Sequence, residues 1–204
     1  MKISSSHIVT IPRFTPQIIS VLFQQALYLG DSVIGNAIQT TLGYKSRQSM
    51  HNPMLEATSP SDFWGRRWNV LVHAVMKRGV YKPVRKYTGS AVLASLAVFT
   101  ASGLFHEWFV HAVLMYNQPL EVSSGVLLGS NTAFFLWNFV VIVSERVLAG
   151  MNGFKSFGKM IPGVFVPFLI IMTSLPMAHW FGSPYLNGNY FGDYEKCLFL
   201  IRKV

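Results

Sequence analysis

Apolar residues fall along this chain in long runs separated by polar stretches. Three runs, over residues 90–116, 124–148 and 160–181, are each long enough to cross a bilayer, which takes about 20 mostly apolar residues in a helix. A fourth, 16–42, is interrupted by Gln24, Gln25, Asp31 and Asn36. It fits either a packed span or a helix lying at the membrane interface. The third run holds Pro162, Pro167 and Pro176, which membrane helices tolerate but which predict kinks. The pattern predicts an all-α fold: a polytopic transmembrane helical bundle of about 3–4 spans forming a single membrane domain over residues 1–204.

Residues 43–89 follow a different pattern. Ser59, Pro60 and Asp62 read as a helix start, with Ser59 as cap and Asp62 closing a capping box. Gly79 and Pro83 supply the stop. The spacing therefore predicts a cytoplasmic or interfacial helix over 59–79. Trp64, Trp68, Leu71 and Val75 recur at helical spacing as one apolar stripe. Asn69, His73 and Met76 lie on a second line, with Arg66 above.

Composition agrees with a membrane protein. Of 204 residues, 51% are hydrophobic and 12% charged, against about 25% charged in a soluble domain. The formal charge of +9 is unevenly placed. Residues 43–89 carry nine of the seventeen Lys and Arg residues, the loop 117–123 carries none, and the turn 150–159 carries Lys155 and Lys159. Topology accounts for this charge and leaves no case for nucleic acid. The positive-inside rule places 43–89 and 150–159 in the cytoplasm. Cys197 is alone, so neither an internal disulfide nor a cysteine metal site arises. Residues 1–16 do not read as a cleavable signal peptide.

The candidate chemistry sits inside the run 90–116. His106 and Glu107 interrupt an uncharged stretch, and ionisable groups at membrane depth mark a functional interior unless a neighbour satisfies them. Small residues ahead of them (Ala91, Ala94, Ala97, Ala101, Gly103) let this helix pack closely in a bundle. Ser102 precedes His106 by four residues and shares its face, where it can orient the ring. Glu107 points about 100° away from His106 and can pair with His111. That pair reads as structural. The string HEWFVH is not HExxH, and its histidines lie about 140° apart on a helix, so no metal is expected. His73 and His179 read as structural or interfacial, and Glu145 with Arg146 as a snorkelling or paired span end.

Two strings carry a resemblance. Asn52-Pro53, then Ser61-Asp62-Phe63-Trp64-Gly65-Arg66-Arg67-Trp68-Asn69, Val80-Tyr81-Lys82-Pro83 and finally Ser102-Gly103-Leu104-Phe105-His106-Glu107 resemble the wax-synthase branch of the membrane-bound O-acyltransferase family. Ala178-His179-Trp180 is a fainter echo. The resemblance implies acyl transfer from acyl-CoA to a lipid alcohol (a long-chain fatty alcohol, a sterol or similar) in the endoplasmic reticulum membrane. It implies no cofactor beyond acyl-CoA as co-substrate. It maps the catalytic histidine onto His106 and its partner asparagine onto Asn69; Ser102 and Glu107 are the orienting or supporting residues that the helical spacing suggests.

For Trp64, Trp68, Arg66 and Arg67 two readings stand: a membrane-interface belt, or a landing site for the anionic acyl-CoA. Chemistry suits the assignment. A buried imidazole stays neutral and can act as general base, and Asn69 can bond the thioester carbonyl or the developing oxyanion. Family members carry several more spans ahead of the FWGRRWN string. The alternative reading is therefore a truncated, non-catalytic relative that binds a partner in a homo- or hetero-oligomer. A proton relay through His106 and Glu107 has less support, since no paired discontinuous helices are visible.

Overall fold

The structure is a computed structural model and describes residues 15–44, 48–114, 128–151 and 161–187. The loop 117–123, most of the turn 150–159, residues 1–14 and Cys197 lie outside the described residues. Within them every regular element is helical. Helix α1 is Thr15–Leu42. Short helices α2 (Pro53–Glu56) and α3 (Pro60–Asp62) follow, then α4 (Val70–Met76), α5 (Lys82–Thr88), α6 (Ala91–Phe109), α7 (Ser130–Ala149) and α8 (Val166–Asn187).

Three segments are long and apolar enough to cross a membrane: Ala91–Ala112, Ser130–Ala149 and Gly163–Tyr185. With this, the chain is a multi-pass membrane protein. The central contact is between α6 and α7, and α8 lies along α7. Gly103 makes the first contact possible. A Cβ there would stand 2.7 Å from the Thr132 Cα, so only hydrogen lets the two backbones meet. A core of Phe99, Phe134, Phe135 and Ile142 lies between the helices, with Trp64 and Phe181 packed on it.

The expected helix over 59–79 is not one helix. The start forms as read: the Ser59 side chain accepts from the Asp62 N–H. The Asp62 carboxylate, however, turns to Thr58, whose N–H and Oγ1 donate at 3.0 and 3.1 Å, so the capping box is not reciprocal. A π-helical turn over Phe63–Arg67 follows. The chain then breaks: Trp68 is extended, and Asn69 is left-handed with φ 39° and ψ 63°. Asparagine tolerates that conformation better than most residues. Two backbone bonds brace the break, His51 N–H to Arg67 C=O at 2.9 Å and Val70 N–H to Ser49 C=O at 2.7 Å.

The predicted stripe is divided by this break. Trp64 and Trp68 go to the core side, while Leu71 and Val75 are exposed. The stop at Gly79 also fails. A second π-helical turn, Lys77–Tyr81, carries the helix on into α5, which ends at left-handed Gly89. Pro83 follows directly on this π-helical turn, where the helical bonding pattern is already shifted.

Helix α1 is not among the three long apolar segments. Its Asp31 carboxylate accepts from the Ser49 N–H and Oγ at 2.8 and 3.0 Å. That ties α1 to the segment leading into Asn52-Pro53.

Candidate active site

His106 lies in the last turn of α6, with its ring against α7 and α8. The ring centroid is 4.7 Å from that of Phe135 and 5.5 Å from that of Phe181. Its Nδ1 lies 2.8 Å from the Ser102 carbonyl oxygen. A carbonyl only accepts, so Nδ1 carries the hydrogen, and in the neutral ring Nε2 keeps its lone pair. Among the described residues nothing bonds Nε2. The contact of Ser102 with the ring is made through its backbone carbonyl rather than its hydroxyl.

Glu107 has a larger role than the pair foreseen with His111. That pair forms, with His111 Nε2 3.2 Å from Oε1. The same carboxylate also caps α7: Oε1 accepts from the Gly129 N–H at 2.8 Å, and Oε2 from the N–H groups of Asn131 and Thr132 at 3.1 and 3.3 Å. The first turn of a helix leaves unpaired donors with partial positive charge, and a buried carboxylate satisfies both needs.

Trp64 connects the region around Asn69 to the bundle. Its indole N–H donates to Asn138 Oδ1 at 3.2 Å, and its ring lies 5.9 Å from Phe135. Trp68 stacks on Phe63 at 5.6 Å and meets Trp64 edge-on. A chain of rings, Trp68–Trp64–Phe135–His106, therefore links the two candidate catalytic segments. Asn69 itself caps α4, its Oδ1 accepting from the Val72 N–H at 3.2 Å. Among the described residues no hydrogen bond joins it to His106.

The arginines are engaged in ion pairs. Arg66 Nε and Arg67 Nε donate to the two oxygens of Asp62 at 2.8 and 2.7 Å, and Arg67 also pairs with Glu56 at 2.9 Å. Burial alone would raise the Asp62 carboxyl. The hydrogen bonds from Thr58 and Arg67 outweigh it and hold the group down to about 2. Arg66 is 74% exposed and keeps free donors. Arg67 is committed to structure. His73 is half-buried, which pushes its imidazole down, with Lys77 adding to the shift.

Sequence reasoning missed three polar residues. Asn138 is buried and joins three elements: it accepts from Trp64 and from Ser174 Oγ at 2.7 Å, and its Nδ2 donates to the Phe134 carbonyl at 2.9 Å. Among the described residues Glu145 meets no cation at the span end. It caps α3, accepting from the Ser61 N–H and Oγ at 2.8 Å each. Asn131 is fully buried. The visible signal was two asparagines seven residues apart on one face of an apolar run.

Fold and site define a helical membrane protein with an imidazole held ready on an inner span face. The profile of the family described as "Membrane bound O-acyl transferase family" matches residues 47–137, covering both strings. A long-chain-alcohol O-fatty-acyltransferase of Simmondsia chinensis is 34% identical over 142 residues, 64% of this chain and 38% of the relative. A probable long-chain-alcohol O-fatty-acyltransferase 2 of Arabidopsis thaliana is 28% identical over 163 residues, 76% of this chain and 43% of the relative. The acyl-CoA–sterol O-acyltransferase 1 of Arabidopsis thaliana is 30% identical over 138 residues, 64% of this chain and 36% of the relative. Over these residues the chain is similar to the wax-synthase branch of the membrane-bound O-acyltransferase family. It spans about two-fifths of the length of these relatives. No solved structure gives a significant match.

Proposed function

We propose that the chain carries the reaction centre of an O-acyltransferase that esterifies a lipid alcohol with the acyl group of acyl-CoA in the endoplasmic reticulum membrane. The observation that carries this reading is the Nδ1 contact of His106 with the Ser102 carbonyl. It leaves Nε2 as a base on a face lined by Phe135 and Phe181. The names of the relatives support the reaction class.

In this reading Nε2 takes the proton of the alcohol as its oxygen attacks the thioester carbonyl. The tetrahedral intermediate collapses, the C–S bond breaks, and the imidazolium returns the proton to the leaving thiolate. No metal is required, because a thiolate leaves readily. The apolar surround excludes water that would otherwise hydrolyse the thioester. Asn69 Nδ2 is the donor assigned to the thioester oxygen. Arg66 is the remaining candidate for a phosphate of the donor.

The test uses microsomes from a host lacking its own neutral-lipid acyltransferases, with labelled acyl-CoA and a panel of alcohols. Ester from the wild type and none from His106→Ala at matched expression is the expected result. Equal ester from both removes His106 as base. No ester from either overturns the reading that this chain suffices for the reaction and favours one that acts with a partner.

A further inference from the structure

The first turn of α7 holds a polar cluster with no internal use. Asn131 is 0% exposed, and among the described residues neither its Oδ1 nor its Nδ2 meets a partner. The hydroxyls of Ser130 and Thr132 beside it are likewise buried and unpaired. Asn138, seven residues further along the same face, shows how this bundle treats a carboxamide it uses structurally: its oxygen accepts twice and its nitrogen donates. A buried polar group left without a partner is destabilising, so a cluster of them needs another explanation.

Its position supplies one. The turn of α6 that carries His106 meets this part of α7 at three places. Gly103 lies against Thr132, Glu107 accepts the Asn131 N–H, and His106 stacks on Phe135, one turn after Asn131. The backbone donors of the turn are taken by Glu107, which leaves the side chains for a ligand. A carboxamide and two hydroxyls offer both donors and acceptors. That set suits a group that both donates and accepts. It does not suit a phosphate, since the turn carries no cation, nor an oxyanion, which wants donors alone.

We propose that Asn131, with Ser130 and Thr132, forms the polar end of the acceptor site and holds the hydroxyl of a long-chain alcohol. Asn131 Nδ2 donates to the alcohol oxygen, leaving the O–H free to face His106 Nε2. The apolar tail lies along Phe135 and Phe181. This rests on the acyltransferase reading for the identity of the ligand.

The test is equilibrium binding to the purified full chain in lipid nanodiscs. The probes are labelled hexadecan-1-ol and, as a tail without hydroxyl, hexadecane. The wild type is expected to prefer the alcohol. Asn131→Leu is expected to bind it about tenfold more weakly, with hexadecane unchanged and thermal stability equal or higher, because an unpaired polar group has gone. Equal alcohol binding by both proteins overturns the proposal. So does a wild type without preference for the alcohol, or a variant that loses stability and both probes together. If Asn131→Leu does not fold, Thr132→Val removes one hydroxyl at nearly constant shape and carries the same comparison. Ester synthesis is assayed on the same preparations. Alcohol binding through Asn131 without ester sinks the acyltransferase reading and keeps the subsite. Ester from the wild type with unaltered binding by the variants does the reverse.

Discussion

Glu107 and Gly129, twenty-two residues apart, are joined by a 2.8 Å hydrogen bond from the Gly129 N–H to the carboxylate. The residue after the candidate base thereby fixes where α7 begins, and α7 carries the ring on which that base stacks. Glu107→Ala leaves the N–H groups of Gly129, Asn131 and Thr132 without their acceptor at a buried helix end. The expected loss is about 3 kcal/mol of stability, with ester synthesis falling in parallel. Glu107→Gln keeps an acceptor and is expected to lose less than half as much. Thermal unfolding of both variants in detergent checks the order.

The α6–α7 contact gives a second prediction. Gly103→Ala puts a methyl 2.7 Å from a backbone atom of Thr132. Backbone cannot swing away as a side chain can, so the helices must part. The expected cost is about 1–3 kcal/mol, and Gly103→Val should exceed it. A Gly103→Ala variant with unchanged melting temperature would show that the contact is not tight.

The spans were readable because a long apolar run has a single solution in lipid, an internally bonded helix. Position 106 stood out for the same reason, as a polar interruption. The break at Asn69 was not readable. The cap of Ser59 and the periodicity of Trp64, Trp68, Leu71 and Val75 both favour a continuous helix, and what stops it is a brace from Ser49 and His51. Nor were the caps supplied by Glu107 and Glu145, whose partners lie 22 and 84 residues away in sequence. A local window reads propensity. It does not read which carboxylate a fold will bring to a helix end.

Asp62 gives a pH dependence with a definite sign. Its folded value is about 2 against 3.8 for the free group, so the folded protein holds this proton less readily than the unfolded chain. The stabilisation is complete above 3.8 and is lost as pH falls through that value towards 2. It amounts to about 2 kcal/mol. Asp62→Asn should be less stable at neutral pH and lose less of its remaining stability on acidification. Melting curves between neutral pH and pH 3 compare the two slopes.

Arg66 and Arg67 should separate. Arg67 pairs with both Asp62 and Glu56, while Arg66 is mostly exposed. Arg67→Ala leaves a buried carboxylate half-paired and is expected to cost about 2 kcal/mol. Arg66→Ala should be near neutral for stability, as exposed ion pairs usually are. If Arg66 serves the anionic donor, its loss raises the KM for acyl-CoA and weakens its salt dependence. An unchanged KM would return Arg66 to the surface.

The ring of His106 is oriented by the backbone of Ser102, and this separates two variants that sequence alone would have grouped. Ser102→Ala removes the hydroxyl and leaves the carbonyl that accepts from Nδ1. Activity should stay within about twofold of wild type, because the orienting hydrogen bond persists. His106→Gln keeps a polar side chain of similar reach but offers no base near neutrality, and ester synthesis should be lost. A large loss in Ser102→Ala with normal stability would mean that the hydroxyl itself touches substrate. The ring would then have to be held by something other than the carbonyl 2.8 Å away.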